Sequence, residues 1–282
     1  MKAQYESKGA RLAYWESGAG RPVVFLHPTP LDHDFWRPLL GDGLMNAGLD
    51  GVRAIVPDLR GHGASELGAG LPVGGFARVP DAAVLSMRQL GQDVVALLDW
   101  LAVGKAVFVG CSIGGYVLLE LWRSAAERME GLAFVCSKAQ ADAEAGLVKR
   151  AETIAKVRAG GLDAFFDGSV QTLVGATARR DRAEIVAELR GRMTLSADAA
   201  VAVQAGLATR PDSLPTVASI TAPVLAIAGG EDTAVSEQEM EAFTNAPGGC
   251  TFHLIPDAGH FAAYEQPEKV RSLLAEWLRA AA

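Results

Sequence analysis

Cysteine is scarce in this chain, since only three of its 282 residues carry a thiol. Cys111, Cys136 and Cys250 lie in apolar contexts and form no CxxC pair, which argues against both a disulfide framework and a zinc site. A reducing cytoplasm is therefore the expected compartment.

Long apolar runs and blocks of basic residues are missing as well. Residues 1–14 are polar and mixed, unlike a signal peptide, and no stretch has the length of a membrane-spanning helix, so we expect no membrane insertion. Acidic residues outnumber basic ones by 33 to 26, giving a net charge of −7, and nucleic acid is not an expected partner. Half of the residues are apolar, which is enough to fill the core of one large domain.

Short apolar runs alternate with helical patterns along most of the chain. The runs are rich in Val, Ile and Phe, as is typical of strands covered on both faces. Clear helical spacing of apolar residues occupies 87–101 and 270–278. This alternation predicts an α/β fold with a mainly parallel central sheet flanked by helices. The predicted strands are Arg11–Trp15, Val23–Leu26, Arg53–Val56, Ala106–Val109, Leu132–Cys136, Val224–Ala228 and Thr251–Ile255.

The alternation stops between residues 139 and 219, where the sequence is alanine-rich and helical in pattern. A single crossover rarely takes so many residues, so we interpret this span as a helical cap inserted into the domain. The predicted division is a first core segment at 1–138, the cap at 139–219 and a second core segment at 220–282. The predicted cap helices are Leu147–Arg158, Leu162–Leu173, Ala183–Arg192 and Ala199–Leu207.

The strongest local signal is the sequence Gly-Cys-Ser-Ile-Gly-Gly at 110–115. It follows a predicted strand and opens a helical pattern, the context in which a strained turn presents a nucleophilic serine. The glycines at 110 and 114 would leave room for that turn around Ser112. Ser112 is therefore the predicted nucleophile, although a serine that only caps a helix would look similar. We interpret Cys111 as a packing or pocket-wall residue.

A serine hydroxyl needs a neighbouring base to act near neutral pH. His260 lies in a loop after the last predicted strand, at the sheet edge where parallel α/β sheets place reactive groups. His33 is the main competitor, while His62 is expected to stabilise a turn and His253 to lie within a strand. His260 is the predicted general base.

The base should in turn be oriented by a carboxylate. Asp232 follows the strand Val224–Ala228 and lies one strand before His260, so the order Ser, Asp, His agrees with this type of fold. Glu231 and Asp257 are alternatives, and an acid near Asp142 is a further one. Asp232 is the predicted third member.

Acyl transfer also needs N–H groups directed at the oxyanion of the tetrahedral intermediate. The N–H of Ile113, next to the nucleophile, is one expected donor. The other should come from the loop after Val23–Leu26, where Pro28 and Pro30 have no N–H and Thr29 remains. The predicted oxyanion hole is therefore made by Thr29 and Ile113.

Taken together, these segments resemble the α/β-hydrolase superfamily over almost the whole chain. The resemblance implies an α/β-hydrolase fold with a helical cap that lines the substrate pocket, within a branch of capped esterases and enol-lactonases. Pro28 stands where the family usually has glycine, and the serine nucleophile separates the chain from dehalogenases, which use aspartate. The matching segments are 27–30, 57–65, 110–115, 230–232 and 259–261.

The predicted function is hydrolysis of carboxylic esters through an acyl-enzyme. The cap sequence favours a small or medium apolar substrate, and neither a cofactor nor a metal is expected. Lactonase activity of the enol-lactone type, cofactor-free haloperoxidase (perhydrolase) activity and C–C bond hydrolysis are alternatives with the same triad. A slow-turnover receptor for a small molecule is an alternative of another class. The sequence does not indicate an oligomeric state.

Overall fold

The computed structural model of the protein describes residues 2–41 and 49–280. Eight strands form one sheet in the order β1-β2-β4-β3-β5-β6-β7-β8. The β1–β2 and β2–β4 pairs are antiparallel, and all other neighbours are parallel, as the alternating pattern predicts. The strands are β1 (Lys2–Ser7), β2 (Ala10–Gly18), β3 (Arg21–Leu26), β4 (Val52–Pro57), β5 (Ala106–Cys111), β6 (Met129–Val135), β7 (Val224–Gly229) and β8 (Cys250–Ile255).

Helices cover both faces of this sheet, which explains why the central strands are apolar throughout. In β5, Val107 and Val109 pack into the core on one side, while Phe108 packs into the core on the other. The helices are α1 (Arg37–Leu40), α2 (Met87–Trp100), α3 (Ile113–Ala125), α4 (Glu144–Arg158), α5 (Leu162–Leu173), α6 (Ala176–Asp181), α7 (Ala183–Gly191), α8 (Ala197–Ala208), α9 (Leu214–Val217), α10 (Glu237–Glu241), α11 (Ala262–Glu265) and α12 (Pro267–Ala280).

The first strand, β1, is not among the predicted strands. β1 pairs with β2 at the antiparallel edge, from Lys2 opposite Trp15 to Ser7 opposite Ala10. Only Tyr5 and Ser7 of this strand are buried, so its short alternation does not stand out in a polar and mixed segment.

The span between β6 and β7 is helical, as predicted, and all of its residues are described. Helices α4 to α9 occupy it without a strand. Two short helices in this span, α6 and α9, were not predicted, because six and four residues are too few to show a helical repeat. The domain boundaries at 139 and 219 stay a prediction.

Within the described residues, no helix is both long and apolar enough to cross a membrane.

Candidate active site

Ser112 lies at the junction where β5 ends and α3 begins, in a strained turn. Its backbone φ of +53° lies in the left-handed region, which residues other than glycine rarely adopt. A Cβ atom on Gly110 would lie 2.5 Å from the backbone of Gly114, and one on Gly114 would lie 2.3 Å from the carbonyl oxygen of Leu26. The turn that exposes Ser112 therefore depends on both glycines.

The structure brings the three predicted triad side chains together. His260 Nε2 lies 2.7 Å from Ser112 Oγ, and His260 Nδ1 lies 2.7 Å from Asp232 Oδ2. A carboxylate can only accept, so Nδ1 carries the proton and Nε2 presents a lone pair to the serine hydroxyl. All three side chains are buried. This geometry allows a proton to pass from Ser112 to His260.

The backbone around Asp232 holds its carboxylate in place. Oδ1 accepts the N–H groups of Ala234 and Val235 at 2.8 and 3.0 Å, which leaves Oδ2 directed at His260. The alternative acids are engaged elsewhere. Glu231 accepts hydrogen bonds from Thr177, Asp257 pairs with Lys269, and Asp142 pairs with Arg150 and Arg210.

The two residues predicted to form the oxyanion hole both lie near Ser112. Ile113 is the first residue of α3, and Thr29 lines the same cavity as Ser112 and His260. Within 2–41 and 49–280, neither backbone N–H has a hydrogen-bond partner. Two unpaired donors are therefore present beside Ser112, and their catalytic role stays a prediction.

Two buried histidines fix the loop that carries Thr29. His27 Nε2 accepts the Leu59 N–H, so its Nδ1 donates to the carbonyl oxygen of Pro28. His62 Nδ1 donates to the carbonyl oxygen of Arg60, and its Nε2 accepts from the Thr29 hydroxyl at 3.0 Å. Burial lowers the pKa of His27 to about 3 and that of His62 to about 4. Both rings are therefore neutral near pH 7.

The competing base, His33, is held away from Ser112 in another cluster. Its Nδ1 lies 2.8 Å from Asp58 Oδ1, and its ring stacks on Trp15. Asp32, His33 and Asp58 could present one metal-ligand atom each within 4.8 Å of one another. The Asp58 oxygens already accept hydrogen bonds from His33 and Ala64, so we interpret this group as structural.

Cys111 is fully buried beneath the turn and does not line the cavity. Its Sγ lies 3.8 Å from the carbonyl oxygen of His260. Burial raises the pKa of this thiol well above its usual value, so it stays protonated and unreactive. The buried position of Cys111 agrees with its interpretation as a packing residue.

A cavity of about 360 Å³ opens in front of Ser112 and His260. Helices α4, α5 and α8 contribute much of its wall, together with the segments after β3, β6 and β7. The wall is not mainly apolar, whereas the cap sequence favours an apolar substrate. It combines apolar groups such as Phe165 and Leu207 with the charged groups Lys138, Asp142, Arg150 and Lys156, which sequence reasoning missed.

A buried carboxylate joins the helical span between β6 and β7 to the loop that holds His260. Glu265 accepts the N–H groups of Gly175, Gly259 and Phe261 at 3.0, 2.9 and 3.2 Å. Burial raises the pKa of Glu265, and the three N–H groups partly oppose this shift. The N–H of His260 itself donates to the carbonyl oxygen of Leu173, at the end of α5. Hydrogen bonds thus join the helical span between β6 and β7 to the loop that carries His260.

Comparison with known families places the chain among proteins of this architecture. The sequence model of the alpha/beta hydrolase family matches residues 23–273. The chain belongs to the alpha/beta hydrolase family. The predicted fold, an eight-stranded and mostly parallel sheet flanked by helices, is therefore confirmed.

Individual relatives are distant but cover nearly the whole protein. A putative non-heme bromoperoxidase, BpoC, of Mycobacterium tuberculosis is 26% identical over 93% of this chain and 95% of its own length. The 3-oxoadipate enol-lactonase 1 of Acinetobacter baylyi is 29% identical over 88% of this chain and 84% of its own. A thermophilic esterase from Thermogutta terrifontis superposes with a TM-score of 0.86 at 28% identity, covering 100% of this chain and 99% of its own. The comparisons support a hydrolase, with several chemistries among the relatives.

Proposed function

We propose that this protein is a serine hydrolase that cleaves carboxylic esters through an acyl-enzyme. The observation that carries the proposal is the continuous hydrogen-bonded path from Ser112 through His260 to Asp232, with 2.7 Å at each step. The similarity to the thermophilic esterase from Thermogutta terrifontis, with its TM-score of 0.86, supports the proposal.

In the proposed reaction, His260 takes the hydroxyl proton as Ser112 Oγ attacks the ester carbonyl. The N–H groups of Thr29 and Ile113 bind the oxyanion, and Asp232 stabilises the imidazolium that forms. The imidazolium then protonates the leaving alcohol. Water attacks the acyl-enzyme with His260 again as base, which releases the acid and restores Ser112.

The test is Ser112→Ala, with hydrolysis of p-nitrophenyl butyrate as the measurement. We expect kcat to fall at least about a thousandfold, because the nucleophile is lost while the fold is retained. Ser124→Ala is the matched control, since Ser124 is an exposed residue on the same helix, α3, and its hydroxyl donates to the carbonyl of Glu120 in the preceding turn. Retention of more than a tenth of the activity in Ser112→Ala would overturn the proposal.

Lactone hydrolysis is the second candidate, because an enol-lactonase is 29% identical over most of both chains. A lactone is an intramolecular ester, and its hydrolysis would use the same triad. Ser112→Ala would therefore abolish lactone hydrolysis too. A lactone panel beside p-nitrophenyl esters of increasing length would rank the two activities by kcat/KM. Peroxide-dependent bromination in acetate buffer would reveal perhydrolase activity, and very slow turnover with tight binding would favour a receptor.

A further inference from the structure

The cavity in front of Ser112 contains three cationic side chains. Lys138 follows β6, while Arg150 and Lys156 both belong to α4. Two residues six positions apart on a helix are separated by about 120° around its axis, so Arg150 and Lys156 of α4 can both border one cavity. At about 360 Å³ the cavity is near the small end of ligand sites, and a bound molecule would lie close to these charges.

The carboxylates nearby do not balance these cations. Asp142 is the one carboxylate of the described cavity wall, and it accepts both Arg150 Nε at 3.0 Å and Arg210 Nη2 at 2.8 Å. Although burial opposes it, the hydrogen bond from Arg210 and the charges of Arg150 and Arg210 lower the pKa of Asp142 to about 2. Asp142 is thus already ionised at neutral pH, and its one negative charge is shared by two guanidinium groups.

The remaining cations leave an excess of positive charge. Lys138 Nζ pairs with Glu239 at 2.6 Å, whereas Lys156 has no ion-pair partner in the described part of the chain. Arg150 Nη1 donates to Gln204, but its Nη2 has no partner there. The chain as a whole carries a net charge of −7. The local excess of positive charge near Ser112 is therefore opposite in sign to the net charge of the protein.

Burial of Arg150 makes its unused donor costly unless an anion binds. The Arg150 side chain is only 24% exposed, and a partly desolvated guanidinium without a full set of partners raises the free energy of the site when no anion is bound. Lys156 is more exposed and lies where the cavity meets solvent. A carboxylate bound in this cavity would find Arg150 Nη2 and Lys156 Nζ as donors for charge-assisted hydrogen bonds.

We infer that the substrate of this protein carries a carboxylate in addition to the bond that is cleaved, and that Arg150 and Lys156 bind it, with Lys138 adding to the field. This inference deepens the proposed function and rests on it for the identity of the scissile ester. It replaces the apolar substrate expected from the cap sequence with a monoester of a short dicarboxylic acid, or a molecule of equivalent charge.

Two esters of equal acyl length test it by turnover. Mono-p-nitrophenyl glutarate ends in a carboxylate where p-nitrophenyl pentanoate ends in a methyl group. In Lys156→Gln we expect the ratio of kcat/KM for the charged over the neutral ester to fall about tenfold, mainly through a higher KM. The same ratio should fall in the native protein as salt is raised, because ions screen this attraction. Lys149→Gln removes an exposed cation of α4 that does not line the cavity, and it should leave the ratio unchanged.

A binding measurement separates this inference from the proposed function. In Ser112→Ala protein, calorimetry should detect monomethyl glutarate binding, and adding Lys156→Gln should weaken it about tenfold. Serine-dependent hydrolysis of the neutral ester with no effect of Lys156→Gln or Arg150→Gln on the ratio would overturn the inference and leave the proposed function intact. Binding that needs Lys156, in a protein that hydrolyses neither ester, would support the anion site and overturn the esterase proposal.

Discussion

Asp232 and Asp257 are carboxylates on neighbouring loops, and only Asp232 reaches the ring of His260. Asp257 is held by Lys269 at 2.8 Å instead. We expect Asp232→Asn to lower kcat on p-nitrophenyl butyrate by about a thousandfold or more, because the amide stabilises neither the required tautomer nor the imidazolium. Asp257→Asn is the matched control and should retain at least half of kcat. Comparable losses in the two variants would mean that the assignment of the orienting acid is wrong.

Single residues were predictable where chain order and local motif constrain them. Ser112, Asp232 and His260 each follow a recognisable strand, and parallel strands bring their carboxyl ends to one edge. The cationic wall was not predictable in this way. Arg150 and Lys156 lie on a helix whose orientation over the sheet is set by packing, so their spacing alone does not indicate whether they face a cavity or solvent.

At the scale of elements, Glu265 of α11 links the helical span between β6 and β7 to the loop that carries His260. We expect Glu265→Gln to lower the free energy of unfolding by about 2 kcal/mol, because an amide has one acceptor oxygen and would direct its N–H₂ group at a backbone N–H. It should also lower kcat on p-nitrophenyl butyrate, since Gly259 and Phe261 flank His260. Urea denaturation and steady-state kinetics measure the two effects.

Glu268→Gln is the control for that substitution, because Glu268 is an exposed residue in the first turn of α12. It should change the free energy of unfolding by no more than about 0.5 kcal/mol. If both variants were equally stable, the three N–H contacts of Glu265 would not be stabilising the link between this helical span and the His260 loop.

Elements were predictable in proportion to their length and pattern. The strands β2 to β8 and the helices α2 and α12 show apolar runs or a clear helical repeat. β1 was not predicted because only Tyr5 and Ser7 turn inward. Its stability comes from pairing with β2 rather than from its own burial. The contacts of Glu265 join residues up to 90 positions apart, which no local pattern reveals.

At the scale of the whole molecule, acid stability should depend on the buried neutral histidines. An unfolded histidine has a pKa near 6.5, whereas burial holds that of His62 at about 4 and that of His27 at about 3. Between these values the unfolded chain binds protons that the folded chain excludes. The free energy of unfolding should therefore fall as the pH is lowered from 7 to 5, by about 2 kcal/mol for each ring.

His62→Gln removes one of these two titrations, so the fall between pH 7 and pH 5 should be smaller by about 2 kcal/mol than in the native protein. The comparison is between slopes with pH, because the loss of the hydrogen bond to Thr29 lowers stability at both pH values alike. Urea denaturation at the two pH values gives both numbers. An unchanged slope in His62→Gln would show that this ring is protonated in the folded protein by pH 5, and that the loop carrying Thr29 tolerates a charge.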